Sequence, residues 1–232
     1  PSISMHKKIS RYIIASISSL LLLVPSAHAQ LSGLRFKAES DTLPLIMGGQ
    51  VFANLAGAVL WQLSDYGELE GGARLNMRCK YFPTVEAGLG ICNKTNDETS
   101  LHYKTTAPFV RIGCDYNFSR IKTSPNRIYG GIRFGYTTYK YDIDGPDIID
   151  PYWQGDAMPL RLKGISSNAL WTEFVFGLET KVWRHFHVGW TARYKRRLHQ
   201  KSNTTGNSYY IPGYGKNDAH LFTGTFNLVF DI

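Results

Sequence analysis

The feature that most constrains this chain is an alternation of apolar and polar side chains with a period of two, sustained over most of its length. Between residues 68 and 82, Leu69, Gly71, Ala73, Leu75, Met77, Cys79 and Tyr81 share one face, and Glu68, Glu70, Gly72, Arg74, Asn76, Arg78 and Lys80 share the other. Only an extended strand turns successive residues to opposite sides, so the pattern specifies a strand with one apolar and one charged side. Read the same way throughout, the sequence predicts eight strands, at about 45–62, 68–82, 84–93, 105–118, 127–141, 169–183, 185–198 and 219–232. Most exceed the five or six residues typical of globular strands, and about 9 to 11 suffice to cross a bilayer.

The composition agrees. A chain of 232 residues that is 43% hydrophobic, 13% aromatic and 19% charged, with mean hydropathy −0.22, is neither a bundle of membrane helices nor a disordered tail. A mean near zero is what alternation produces, because the two faces cancel. No repeat and no low-complexity linker divides the sequence, so residues 30–232 are expected to form one unit.

Residues 5–29 are read as a secretory signal peptide, with Lys7, Lys8 and Arg11, an apolar run from Tyr12 to Val24, Pro25, and Ala27-His28-Ala29 ahead of the cut. Pro1 to Ser4 are read as upstream residues. Cleavage removes those three basic side chains and no acidic one, so the mature charge is milder than the +8 of the whole chain. An exported chain whose only basic block is Lys195-Arg196-Arg197 is not expected to bind nucleic acid. Cys79, Cys92 and Cys114 are odd in number and lack CxxC spacing, which argues against a zinc site or a disulfide framework.

Connection lengths test the membrane reading, since membrane barrels have short periplasmic turns and longer outer loops. Tight turns are predicted at Pro83 and Arg184, and the long connections Asn93–Lys104, Asp142–Asn168 and His199–Asp218 all fall on the opposite side. A soluble lipocalin-like barrel would show the same alternation with its faces exchanged. The aromatic residues Trp61, Phe118, Trp183, Phe186, Trp190 and Phe230 near strand ends fit interfacial girdles instead. The expected fold is an all-β, antiparallel, up-and-down transmembrane barrel of eight strands.

The final segment, Leu221-Phe222-Thr223-Gly224-Thr225-Phe226-Asn227-Leu228-Val229-Phe230-Asp231-Ile232, resembles the C-terminal assembly signal of Gram-negative outer-membrane proteins. Asp150-Pro151-Tyr152-Trp153 and Ile211-Pro212-Gly213-Tyr214-Gly215 resemble segments of small outer-membrane barrels of Bacteroidota. The resemblance implies an outer-membrane location, contact with membrane lipid and lipopolysaccharide, and insertion by the barrel-assembly machinery. It implies no activity.

Inward charges in a barrel this narrow must pair with one another. Antiparallel register across Arg184 sets Glu173 opposite Lys195 and Lys181 opposite His187, and a turn at Pro83 sets Glu86 beside Arg78 and Lys80. These seven residues are expected to form an interior charge network that plugs the barrel. Tyr152, Trp153, Tyr209, Tyr210, Ile211 and Tyr214, in the longest loops, are candidate contacts for an envelope partner, or cover the barrel mouth and bury themselves. His102, His199 and His220, with Ser166, Ser167, Ser202 and Ser208, sit near the outer rim without a nucleophile motif, so no catalysis is expected. His185 and His187 read as interior filler rather than a metal pair, and the acidic loop at Asp142, Asp144, Asp147 and Asp150 lacks the closing Glu of a calcium loop. No cofactor or metal is expected. The sequence thus points to a structural or partner-binding barrel, with a narrow pore for ions or small solutes and a lipid-modifying enzyme as competing functions.

Overall fold

Each long alternating segment pairs with its sequence neighbour, and the pairing closes on itself. The structure, a computed structural model, describes residues 43–96, 99–147, 160–203 and 208–232, and the predicted signal peptide lies outside them. In chain order the elements are β1 (Gly49–Asn54), α1 (Leu55–Leu63), β2 (Tyr66–Leu75), β3 (Tyr81–Thr95), β4 (His102–Asn117), β5 (Arg127–Asp144), β6 (Arg161–Trp183), β7 (Phe186–Gln200), β8 (Tyr210–Ile211), β9 (Gly215–Lys216) and β10 (His220–Asp231). Eight of the strands form a closed antiparallel barrel in the order β1-β10-β7-β6-β5-β4-β3-β2, and β8 with β9 makes a separate small hairpin. Apart from that hairpin, every strand lies beside its neighbour in sequence, so the barrel runs up and down.

Two expectations about boundaries are corrected. The first predicted strand, 45–62, is a strand only to Asn54, because true alternation ends there. Leu55-Ala56-Gly57-Ala58-Val59-Leu60-Trp61 is apolar without interruption, and it forms α1. Asn54 caps the helix by accepting the Gly57 N–H at 3.3 Å, and the Ser64 N–H closes its end on the Leu60 carbonyl. A Cβ at Gly57 would stand 2.1 Å from the Glu68 carbonyl oxygen, so the missing side chain is what lets the helix lie against β2. Above Asn54 the barrel wall is therefore α1, and β2 and β10 have no strand between them there.

The turn expected at Pro83 lies instead at Met77–Lys80, where Arg78 and Cys79 both adopt φ 53° and the Lys80 N–H donates to the Met77 carbonyl at 3.0 Å. Pro83 sits inside β3, just beyond the last β3 residue paired to β2, Thr84. Its missing N–H removes no rung from that ladder. The turn at Arg184 stands as read, joining β6 to β7.

The two faces of the wall are opposite in chemistry. Outward lie Val85, Leu89, Val110, Ile112, Ile132, Phe134, Leu170, Phe174, Phe176 and Leu178, all exposed. Around the turn end stand Tyr81, Phe118, Trp183, Phe186 and Phe230; near the loop end stand Trp61, Tyr66, Tyr136, Tyr194 and Phe222. Inward lie the charged residues and a set of aromatic rings, four of them seated on a glycine directly across the ladder: Phe52 on Gly72, Phe109 on Gly88, Tyr129 on Gly177 and Trp171 on Gly135. A Cβ at Gly135 would come within 2.2 Å of the Trp171 ring, so these glycines are what give the narrow lumen room for large side chains.

Candidate functional site

The lumen is the site, and it is filled in three tiers. The middle tier is ionic. Arg111 of β4 lies 2.5 Å from Glu70 of β2, 3.2 Å from Glu86 of β3 and 2.9 Å from Glu173 of β6. Arg193 of β7 faces the same three carboxylates, at 2.9, 3.0 and 3.5 Å. Arg133 of β5 joins Glu86 at 2.7 Å and Asp115 at 3.0 Å. Glu86 and Glu173 are fully buried. Charges so far from water persist only when paired, and here each carboxylate is shared by two or more guanidinium groups or the reverse.

The tier toward the turn end is built on Gln50 of β1. Its amide oxygen accepts from Arg74 and from Arg127, both at 2.8 Å, and its amide nitrogen donates to Asp231 at 2.5 Å. Arg74 and Arg127 also share the Glu179 carboxylate. The Arg127 guanidinium is stacked 4.0 Å over the Phe82 ring. His187 bonds Asp231 at 2.8 Å.

The tier toward the loop end is the β8–β9 hairpin folded back into the mouth. Lys195 donates to the carbonyls of Gly213 and Tyr214 at 2.9 and 3.0 Å, and Arg111 reaches the Gly213 carbonyl at 2.5 Å. Tyr103 donates to the Tyr210 carbonyl at 2.9 Å, and the Tyr210 hydroxyl reaches Glu68 at 3.3 Å. Gly213 takes φ 80°, and a Cβ there would meet the Phe109 ring at 2.3 Å. Tyr210, Ile211 and Tyr214 join Cys92, Tyr103, Phe109, Tyr139, Tyr141 and Trp171 in one buried cluster.

The predicted residues fall into place unevenly. Glu173 pairs in register with Lys195, and Lys181 with His187. Glu86 lies at the centre of the ionic tier, but Arg78 and Lys80 do not join it. Both belong to the β2–β3 turn, where Arg78 is exposed and Lys80 stands over the Tyr81 ring, because β2 ends before them. Lys181 is exposed at the turn-end mouth. Of the candidate partner contacts, Tyr210, Ile211 and Tyr214 are buried in the hairpin, with exposures of 4%, 0% and 0%. For these three the covered mouth holds and not the partner contact: Gly213 and Gly215, both at positive φ, turn the loop inward, where its own Gly213 and Tyr214 carbonyls accept from Arg111 and Lys195. Tyr209 remains exposed, bonded to Lys94 at 3.2 Å. Tyr152 and Trp153 lie outside the described residues.

Glu70 and Arg74 fall on the polar face of the 68–82 segment, and Arg111, Arg133, Glu179 and Arg193 on the polar faces of the segments at 105–118, 127–141, 169–183 and 185–198, without being joined to the predicted network. Arg111 with Glu86 and Glu179 with Arg127 face each other on adjacent strands, within reach of register, whereas Glu70, Arg74 and Arg193 also meet partners two to four strands away in the ring, which register does not reach. Among the described residues, no group of three His, Cys, Asp or Glu side chains is arranged to hold a metal ion.

Comparison with known proteins adds the family. The family model described as "Domain of unknown function (DUF6048)" matches residues 9–231. The chain belongs to the DUF6048 family. No curated protein matches this DUF6048 member. Among solved structures, the crystal structure of Acinetobacter baumannii CarO2 is similar at 12% sequence identity and a TM-score of 0.40, over 81% of this chain and 99% of that one.

Proposed function

We propose that this DUF6048 protein is an outer-membrane β-barrel with a structural or partner-binding role in the cell envelope and without catalysis. The observation that carries the reading is the inversion of the barrel: aliphatic and aromatic side chains cover the outside while Glu70, Glu86, Arg111, Glu173 and Arg193 are enclosed within. A soluble barrel keeps its charges outside; one bathed in lipid must do the opposite. Aromatic side chains toward both ends of the wall are where membrane interfaces favour them. The apolar outward row of β10, Phe222, Phe226, Leu228 and Phe230, continued by Ile232 just after it, and the predicted signal peptide support export to the outer membrane. Segments 150–153 and 211–215 support kinship with small barrels of Bacteroidota.

The short turns and both ends of the barrel sequence lie together, which favours a periplasmic turn end and an outer loop end. In that orientation Tyr66 and Tyr209, exposed beside Lys94, form the surface offered to an envelope partner, and the exposed Arg196 meets lipopolysaccharide. A hairpin in one mouth and an ionic tier below it support a plug over a pore. The deciding measurement is planar-bilayer recording on protein whose migration on gels changes with boiling. Heat-modifiable protein without steady current is expected, and size-selective conductance would replace the plug with a channel.

A further inference from the structure

At the turn end the filled lumen opens into a cavity of about 280 Å³, walled by Gln50, Asn117, Arg127, Glu179, Lys181, His187 and Asp231 and roofed by the 122–125 turn. The cationic side chains around it are incompletely partnered. Arg127 is 7% exposed and uses Nη2 for all its bonds, to Gln50 and to the Glu179 carboxylate that Arg74 also occupies; its Nε has no partner among the described residues. Asp231, the other acidic side chain on the wall among the described residues, is engaged by the Gln50 amide and by His187. Lys122 and Lys181 also line the cavity, and neither has a carboxylate within ion-pair distance among the described residues. Glu179 is thus divided between Arg74 and Arg127, Asp231 is taken by Gln50 and His187, and the two lysines are left without an acidic side-chain partner, Lys122 resting on the Asn117 carbonyl and the Tyr116 ring.

We infer that this vestibule binds a small soluble oxyanion, a phosphate or carboxylate group, between Arg127 and the two lysines. A guanidinium held rigidly over Phe82 and Gln50 loses little freedom on accepting a ligand, and its open N–H suits an oxygen acceptor. The volume holds an oxyanion with several waters, each of which takes roughly 30 Å³. The site is a property of the barrel mouth and does not depend on what the loop end contacts.

The test is titration of the detergent-solubilised, heat-modifiable mature protein with inorganic phosphate, and separately with succinate, followed by ligand line broadening in NMR. Saturable binding of at least one is expected, and the pair of probes separates phosphate from carboxylate preference. Arg127→Gln is expected to weaken it at least about tenfold, the usual cost of losing a bond to a charged group. Lys122→Gln/Lys181→Gln, whose sites lie near the rim, should weaken it several-fold without altering the fold, and Lys163→Gln at the other end should leave it unchanged. If neither anion saturates the wild type, or if the double lysine variant binds as tightly as the wild type, the site does not exist.

Discussion

Glu86 is enclosed by Arg111, Arg133 and Arg193, and it has no route to water. Replacing it by Gln keeps the volume and removes the charge that holds three guanidinium groups together. Breaking a buried pair from one side costs about 3–5 kcal/mol. Glu86→Gln is therefore expected to lower unfolding stability by that amount in urea titrations of vesicle-inserted protein, with a loss below about 1 kcal/mol showing that the remaining carboxylates compensate. The identity of such residues was only half legible beforehand. Arg111 and Asp115 announced their inward direction through the alternation with Val110, Ile112 and Cys114. Which acid meets which base was hidden wherever the partners lie on non-adjacent strands, because closing a barrel brings β2 to β4 and β7 at once, and no spacing in the chain encodes that. Arg78 and Lys80 were misplaced for the converse reason: alternation continues through a turn as easily as through a strand, and only positive φ at Arg78 and Cys79 distinguishes the two.

The β8–β9 hairpin acts as a unit, since its tip touches Arg111, Lys195 and Phe109, its stem accepts from Tyr103 at the Tyr210 carbonyl, and Ser208 just ahead of it bonds Tyr139. Cys92 lies beneath it with 1% exposure. In a chain where Cys79 and Cys114 are replaced by Ser, a soluble maleimide should label Cys92 slowly. Gly213→Val, which forces a β-branched side chain into a φ of 80° against the Phe109 ring, should eject the hairpin and speed labelling by at least an order of magnitude. Equal rates would mean that the mouth opens regardless of the hairpin. That this loop turns inward was legible only as one of two options, since Pro212, Gly213 and Gly215 allow a tight reversal but do not aim it. α1 was not foreseen, although the loss of polar residues after Asn54 was its signal: an element apolar on every side has no reason to alternate.

At the scale of the whole molecule, the outer face, which meets lipid on the proposed outer-membrane reading, and the lumen are separated by a single layer of backbone, so outward and inward residues should report opposite environments. Trp190 points outward at 42% exposure and Trp171 inward at 0%. In variants retaining one or the other as sole tryptophan, brominated phospholipid is expected to quench Trp190 strongly and Trp171 little; equal quenching would contradict an inverted barrel. The ionic tier also dictates an order of events. Arg111 on β4 and Arg193 on β7 draw on the same carboxylates of β2, β3 and β6, so neither guanidinium has its full set of partners until strands far apart in the chain have met. A partly built sheet entering hydrocarbon would carry bare guanidinium or carboxylate groups, each costing several kcal/mol. On the proposed membrane reading, descent into the bilayer is then expected to follow gathering of the strands at its surface, on a pathway without half-inserted intermediates. The late step is the meeting of the first and last strands, where Gln50 finds Asp231.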